Sequence, residues 1–230
     1  MQAPTSEQQA QAQAAVALFQ AGRFSDALAQ ARSVAAEAVL PAVVQAELLH
    51  LEAACLHQLD QSEAAIPVVR RAVAMEPANA AYLNTYGVIL RKLKRTAEAI
   101  RSYERVIALT PDFADVYYNC GNALNELDRK EEAIARFERC LQLNPSHASA
   151  HHNVANCLRD LKRVDEALAH YDRSNALEHH NPDMHCNWGL AWQLQERWDK
   201  AMAEFETAIA QKSDHAPSHI NLGSALAVQE

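Results

Sequence analysis

Small and large apolar residues recur along this chain with a period of 34 residues. When Ala46 is counted as position 1 of a repeat, position 8 is always alanine or glycine, and position 20 is always alanine. Position 11 is leucine in every repeat but one, and position 24 is aromatic in every repeat but one. Small residues where two helix backbones approach, and large residues where neighbouring helices leave a gap, predict two packed helices per repeat.

Proline marks the predicted end of the second helix. Pro77, Pro111 and Pro145 all occupy position 32 of a repeat. Because proline has no backbone N–H with which to continue a helix, we expect the chain to leave the helical conformation there. A series of helix pairs without insertions is typical of an all-α solenoid, in which each repeat packs on its neighbours.

This pattern resembles the tetratricopeptide repeat (TPR), a 34-residue helix–turn–helix unit. The resemblance implies an all-α, right-handed superhelical solenoid of antiparallel helix pairs. Five complete repeats cover residues 46–215. Around them we expect a flexible N-terminus (1–7), a diverged first repeat (8–45) and the first helix of a seventh, incomplete repeat (216–230).

Composition and charge narrow the class of protein further. A net charge of -8 argues against nucleic acid as a partner, because wrapping nucleic acid requires a basic face. No apolar run approaches the ~20 residues of a membrane span, and the first residues do not form a signal peptide. The five cysteines show no pairing pattern, which predicts ordinary buried thiols and a cytoplasmic protein.

One polar column is not explained by helix packing. Position 6 is asparagine in four successive repeats, position 9 adds two more, and a further asparagine lies beside Thr85, which holds position 6 in an earlier repeat. Asparagine is a poor residue for a helix interior, so this column needs another reason. The resemblance implies that this side of the first helices lines the concave groove. We expect a site there, formed by Asn84, Asn119, Asn122, Asn153, Asn156, Asn187 and Asn221.

The chemistry of this column matches a peptide backbone, because an asparagine amide offers one donor group and one acceptor group together. Helices pack about 8 to 10 Å apart, and an extended peptide advances about 3.3 Å per residue. Each asparagine of the column would therefore meet roughly every third residue of the ligand. The sequence therefore predicts a protein–protein interaction scaffold that binds extended segments of varied sequence. In the alternative interpretation, the asparagines bond to one another or to water in an empty groove.

Two other functions stay open. The asparagine column is similar to that in the superhelical arm of O-linked N-acetylglucosamine transferases, as in Asn119-Cys120-Gly121-Asn122 and Asn153-Val154-Ala155-Asn156. This resemblance implies the substrate-recognition arm of a larger enzyme whose catalytic domain is not within these residues. The third hypothesis is self-assembly into a homo-oligomer, because the last predicted helix leaves Leu222 and Leu226 without a second helix to cover them.

We find no motif for catalysis, such as a phosphate-binding loop or a His-Glu-x-x-His pair, and predict a protein without enzymatic activity or cofactor. The chaperone-binding members of the resembled family use a carboxylate clamp with lysine at position 5. Here position 5 lacks that cation, which argues against capture of an acidic C-terminus. The residues at position 5 are His50, Asn84, Tyr118, His152, Cys186 and Ile220.

Histidines and arginines recur near the repeat boundaries and turns. The histidines lie in pairs such as His147 with His151, but a zinc site needs three or four converging ligands, and we predict no metal site. Position 16 is arginine in four successive repeats, from Arg95 to Arg197. It would form either a positive ridge for an acidic partner or, as we favour, a solvated turn neutralised by nearby carboxylates.

Overall fold

The computed structural model describes residues 6–37 and 40–229. Within these residues the chain forms thirteen α-helices and no strand, so the predicted all-α architecture is confirmed. The helices are α1 Ser6–Gln20, α2 Phe24–Glu37, α3 Ala42–Gln58, α4 Ser62–Met75, α5 Ala80–Lys92, α6 Thr96–Leu109, α7 Ala114–Glu126, α8 Lys130–Leu143, α9 Ala148–Asp160, α10 Val164–Leu177, α11 Pro182–Leu194, α12 Trp198–Gln211 and α13 Ala216–Val228.

The helices alternate between two lengths in register with the sequence repeat. From α5 onward, the first helix of each repeat has 13 residues and the second has 14. A three-residue turn such as 127–129 joins the two helices, and a four-residue loop such as 144–147 leads to the next repeat. These lengths account for the whole 34-residue period, so every repeat places a given position at the same point of its helix.

The chain divides into two compact units, Met1–Asp112 and Phe113–Glu230. The first unit holds α1 to α6 and the second holds α7 to α13. The division falls beside Ala114, where a repeat begins. Residues 1–5 of the predicted flexible N-terminus lie outside the described residues, and the predicted limits of the diverged first repeat and the seventh repeat stay predictions.

The turn inside each repeat contains one residue in the left-handed backbone conformation. In the turn between α9 and α10 this residue is Lys162. The N–H of the next residue, Arg163, donates to the carbonyl oxygen of Leu158 at 2.9 Å and closes the end of α9. Gly22, in the turn between α1 and α2, has φ +74°. The left-handed conformation costs a residue other than glycine roughly 1 kcal/mol of conformational free energy. The packing of the helices in each repeat must therefore impose this conformation. The non-glycine residues at position 15, with φ between +58° and +63°, are Asp60, Lys94, Asp128, Lys162 and Glu196.

Second helices end at the same point whether or not proline follows. Helix α6 ends at Leu109, two residues before Pro111, and α10 ends at Leu177, two residues before His179. The residue after each of these helices has an extended backbone, with φ -137° and -142°. Proline at position 32 therefore favours the loop conformation without being required for it.

In three repeats, a glycine at position 8 packs directly against the aromatic ring at position 24. The ring of Phe137 on α8 is fully buried. A Cβ atom added to Gly121 on α7 would lie only 2.6 Å from Cε1 of this ring. Gly223 on α13 holds the same position, but a Cβ atom there would meet nothing within 4 Å. Glycine at position 8 of α7 thus makes room for the Phe137 ring, whereas among the described residues no side chain occupies that space beside Gly223.

Replacing Gly121 with alanine is expected to lower the free energy of unfolding by about 1 to 3 kcal/mol, because the added methyl group overpacks the Phe137 ring. The matched change Gly223→Ala gains helix propensity without a clash. It should leave the free energy of unfolding unchanged or raise it by up to about 1 kcal/mol. Urea unfolding measures both variants. Equal effects of the two changes would contradict ring packing as the reason for glycine at position 8.

The cysteines of the chain are free thiols inside the fold. All five cysteines are buried, as predicted, and burial raises the pKa of Cys55, Cys140 and Cys157 to about 11. These three thiols therefore stay protonated at neutral pH.

None of the described helices combines the length and the apolar character needed to cross a membrane.

Candidate functional site

The asparagine column lies along the first helices of successive repeats. In the second unit these helices are α7, α9, α11 and α13, and each contacts the next. All seven predicted site asparagines are half-buried, so their amides are partly accessible to solvent. Asn84 lies on α5 of the first unit, and the other six lie in the second unit.

The side chain at position 6 of one repeat forms a hydrogen bond with the side chain at position 5 of the preceding repeat. We call each side-chain hydrogen bond between neighbouring first helices a rung. This pairing recurs with the same separation of 35 residues each time. In the first unit, Thr85 Oγ1 lies 2.8 Å from His50 Nε2. The three pairs of the second unit are Asn153 Nδ2 with Tyr118 Oη at 3.5 Å, Asn187 Nδ2 with His152 Nε2 at 3.3 Å, and Asn221 Nδ2 with Cys186 Sγ at 3.4 Å.

The shortest rung joins two asparagines of neighbouring repeats. Asn153 Nδ2 on α9 donates to Asn122 Oδ1 on α7 at 2.7 Å, which is shorter than its contact with Tyr118. Position 9 of the next repeat behaves differently. Asn156 Oδ1 accepts a hydrogen bond from the hydroxyl of Tyr171, a buried residue of α10, at 2.7 Å. Asn156 is therefore bonded within its own repeat, and the structure does not bring it into the rungs.

The sequence interpretation missed Arg159, which connects the rungs to the surrounding charges. Its Nη1 donates to Asn187 Oδ1 at 2.8 Å, and its Nη2 donates to Asp160 Oδ1 at 2.8 Å. Asp160 Oδ2 also lies 3.1 Å from Lys130 Nζ. The Arg159 side chain is only 17% exposed. It occupies position 12, which is polar in every complete repeat, and this second polar column was the signal available in the sequence.

These bonds fix the protonation state of His152. Arginine can only donate hydrogen bonds, so the atom of Asn187 that faces Arg159 is its oxygen, and its N–H group must face His152. Nε2 of His152 is therefore an acceptor, and the ring is neutral. Burial lowers the pKa of His152 to about 4, Asp183 opposes this shift, and Arg159 adds to it.

Stability should fall on acidification because of this histidine. The unfolded chain binds a proton at His152 near the ordinary pKa of 6.5, but the folded chain binds it only near pH 4. The contribution of His152 is thus complete above pH 6.5 and declines as the pH falls toward about 4. Replacing His152 with glutamine keeps an acceptor and removes the titration. It should reduce the stability lost over this range by roughly 1 to 3 kcal/mol.

Urea unfolding at pH 7 and pH 5 tests this pH dependence. His179→Gln is the matched control, because His179 is exposed and follows α10. The control should lose as much stability as the wild type. The same loss in His152→Gln would show that His152 does not titrate as its hydrogen bonds indicate.

Three other histidines near repeat boundaries link neighbouring helices. His151 Nδ1 lies 3.0 Å from His170 Nδ1, and His185 Nδ1 lies 2.7 Å from Glu204 Oε2. His215 Nε2, at the start of α13, lies 3.1 Å from Asp183 Oδ1 on α11. Among residues 6–37 and 40–229, no three His, Cys, Asp or Glu side chains converge as metal ligands would.

The arginines at position 16 lie at the end of the turn and pair with a carboxylate in the first turn of the helix that follows. Arg163, for example, donates from Nε and Nη2 to both carboxylate oxygens of Glu166 at 2.7 Å. The same bidentate pair lowers the pKa of the Glu166 carboxyl. Arg95 with Glu98 and Arg129 with Glu132 repeat this geometry. The neutralised-turn interpretation therefore agrees with the structure better than a positive ridge.

Helix α13 exposes apolar residues. Leu226, at position 11, is 51% exposed, although Leu124 and Leu158 at the same position are 2% exposed. Ile220 and Val228 are also exposed. Self-assembly through this helix stays a prediction.

Helix pairs of fixed length, stacked in register and joined by side-chain rungs, define a helical repeat protein. Two family models identify the repeat. Residues 87–128 match a model described as "TPR repeat", and residues 118–177 match one described as "Tetratricopeptide repeat". These matches identify residues 87–177 as tetratricopeptide repeats. Comparison with curated proteins gives no match.

Solved structures with the same architecture include several TPR proteins. PilF of Pseudomonas aeruginosa has a TM-score of 0.80 and 20% identity, covering 94% of this chain and 97% of that chain. YrrB, described as a TPR protein with an unusual peptide-binding site, has a TM-score of 0.64 and 21% identity, covering 74% and 88%. MamA of Desulfovibrio magneticus RS-1 has a TM-score of 0.69 and 15% identity, covering 74% and 97%. At these identities the likeness is one of fold, and the predicted TPR solenoid is confirmed.

The family also gives the general class of function. TPR proteins are protein–protein interaction scaffolds and are generally non-catalytic. The similarity to the arm of O-linked N-acetylglucosamine transferases stays a prediction, as does the cytoplasmic location.

Proposed function

We propose that the second unit binds an extended segment of a partner protein along the asparagines of its first helices. The observation that supports this most is the repeated rung. Neighbouring first helices present half-buried amides at the same position, each bonded to the helix before it. A regular series of amides can follow a peptide backbone, which repeats its own donors and acceptors.

The rungs leave hydrogen-bonding capacity unused. Asn153 donates through Nδ2, but in the part of the chain that the structure describes its Oδ1 accepts no hydrogen bond. Asn187 Oδ1 accepts one bond, from Arg159, and an amide oxygen has two lone pairs. A peptide N–H could therefore bond to either oxygen without breaking a rung.

The internal bonds also bear on the alternative that the asparagines serve only one another. They hold each amide in a fixed orientation before a ligand arrives, and such preorganisation reduces the entropy lost on binding. Each added bond contributes about 0.5 to 1.5 kcal/mol, whereas association itself costs roughly 4 to 15 kcal/mol. A few rungs therefore favour micromolar or weaker affinity and little dependence on ligand sequence. The peptide-binding site of YrrB supports the proposal by analogy of fold.

Replacing Asn119, Asn153 and Asn187 together with alanine should weaken peptide binding at least tenfold. The reason is that the amides available to the ligand backbone are removed, although the helices remain. The probe is an array of unstructured peptides of about 9 residues, enough for three rungs at roughly three residues each. Fluorescence anisotropy then measures the affinity of the peptides that bind.

The triple variant also loses internal bonds, so stability must be measured beside binding. Circular dichroism should show unchanged helicity at the temperature of the binding assay. Asn175→Ala, on the second helix α10, is the control and should bind as the wild type does. If the folded triple variant binds the peptides as tightly as the wild type, the asparagines are internal ties and the proposal is wrong.

The substrate-recognition arm of a larger enzyme remains the alternative, and it would use the same face. The coding sequence that follows Glu230 distinguishes the two functions. A glycosyltransferase domain encoded there would favour the arm.

A further inference from the structure

The charge of the chain is concentrated in its second unit. Residues 113–230 contain 11 Lys and Arg against 18 Asp and Glu, a net charge of -7. Residues 1–112 contain 10 Lys and Arg against 11 Asp and Glu, a net charge of -1. The two sums give the -8 of the whole chain. The unit that carries the rungs is therefore also the acidic one.

Two of these carboxylates lie beside the rungs. Asp115 and Asp183 occupy position 2 of α7 and α11, one helical turn before Asn119 and Asn187. Residues four apart share a helix face and are separated by about 6 Å along the axis. Asp115 is exposed, and the Asp183 side chain is 78% exposed even though it bonds to His215. A lysine or arginine side chain of a peptide on the rungs is long enough to reach them.

Two cations beside the rungs, Arg159 and Lys130, are paired with carboxylates other than these two. Arg159 and Lys130 both bond to Asp160. Asp160 occupies position 13, near the C-terminal end of a first helix, whereas position 2 lies near the N-terminal end, with the asparagine at position 6 between them. Lys130 also bonds to Asp128. Since both cations are occupied by acidic neighbours, the position 2 side keeps its negative charge.

We propose that the partner segment bound by the second unit is basic, with lysine or arginine side chains directed toward Asp115 and Asp183. This inference rests on the proposed function. The rungs hold the backbone of the segment, and the two carboxylates select among segments by charge. Complementary charge at the edge of a binding face mainly sets specificity and the rate of association.

Three peptides of equal length test the inference, with lysine, glutamine or glutamate at alternate positions of one shared sequence. The lysine peptide should bind the full chain about three- to tenfold more tightly than the glutamine peptide, and the glutamate peptide should bind most weakly. The preference should shrink near 1 M salt, where the Debye length falls to about 3 Å. Fluorescence anisotropy provides the affinities.

Charge-removing variants locate the effect. Asp115→Asn with Asp183→Asn should reduce the preference for lysine over glutamine to about twofold or less, because the two carboxylates that would pair with the lysine side chains are removed. Asp172→Asn with Glu206→Gln is the control. These two exposed residues occupy position 25 of second helices, and the control changes the net charge by the same amount. It should keep most of the preference.

The outcomes separate this inference from the proposed function. If lysine and glutamine peptides bind equally, and both lose affinity in the triple asparagine variant, the inference is wrong and the peptide-binding face stands. An equal loss of preference in the control variant would also overturn the inference, because the effect would then come from net charge. If none of the three peptides binds, the proposed function fails and the inference fails with it.

Discussion

In three repeats, the contact between glycine at position 8 of a first helix and the aromatic ring at position 24 of a second helix sets how closely the two helices approach. In the second unit, Gly121 allows α7 to approach α8 until the Phe137 ring fills the space between them. That close approach buries one side of the first helix and leaves its other side to face the first helices of neighbouring repeats. The rungs depend on this arrangement, because residues 35 apart meet only when successive repeats are stacked alike.

Much of the fold could be predicted from the sequence, because a repeated packing requirement leaves a repeated residue. The 34-residue period gave the number of helices, and position 8 identified the close contact. Proline was a weaker signal than it looked, since α10 ends where α6 does although His179 follows it. The left-handed turn residues left no sequence signal, because aspartate, lysine and glutamate fill a conformation that usually favours glycine. The packed helices on both sides impose that backbone.

The site could be predicted only in part. Position 6 was recognisable because asparagine is unfavourable in a helix and recurs there. Its partners at position 5 were not, since they vary from Tyr118 to His152 to Cys186 and share only the ability to meet an amide N–H. The rotation between repeats decides which residues face each other, and spacing along one helix does not reveal that rotation. Asn156 shows the same limit, because the hydroxyl of Tyr171 in its own repeat engages it.

Because the residue at position 5 varies, the rungs differ from one another. The thiol at Cys186 is a weak acceptor, the Tyr118 contact is long, and His152, like His50 in the first unit, brings an imidazole whose pKa burial lowers to about 4. The rung at Asn187 is also the only one described that Arg159 joins, so its amide is held from both sides. It is therefore the most fixed in orientation, and it lies one turn from the carboxylate of Asp183. Under the two proposals, α11 would carry both an amide that binds the peptide backbone and a carboxylate that selects for charge, and the neutral imidazole of His152 holds that amide in place.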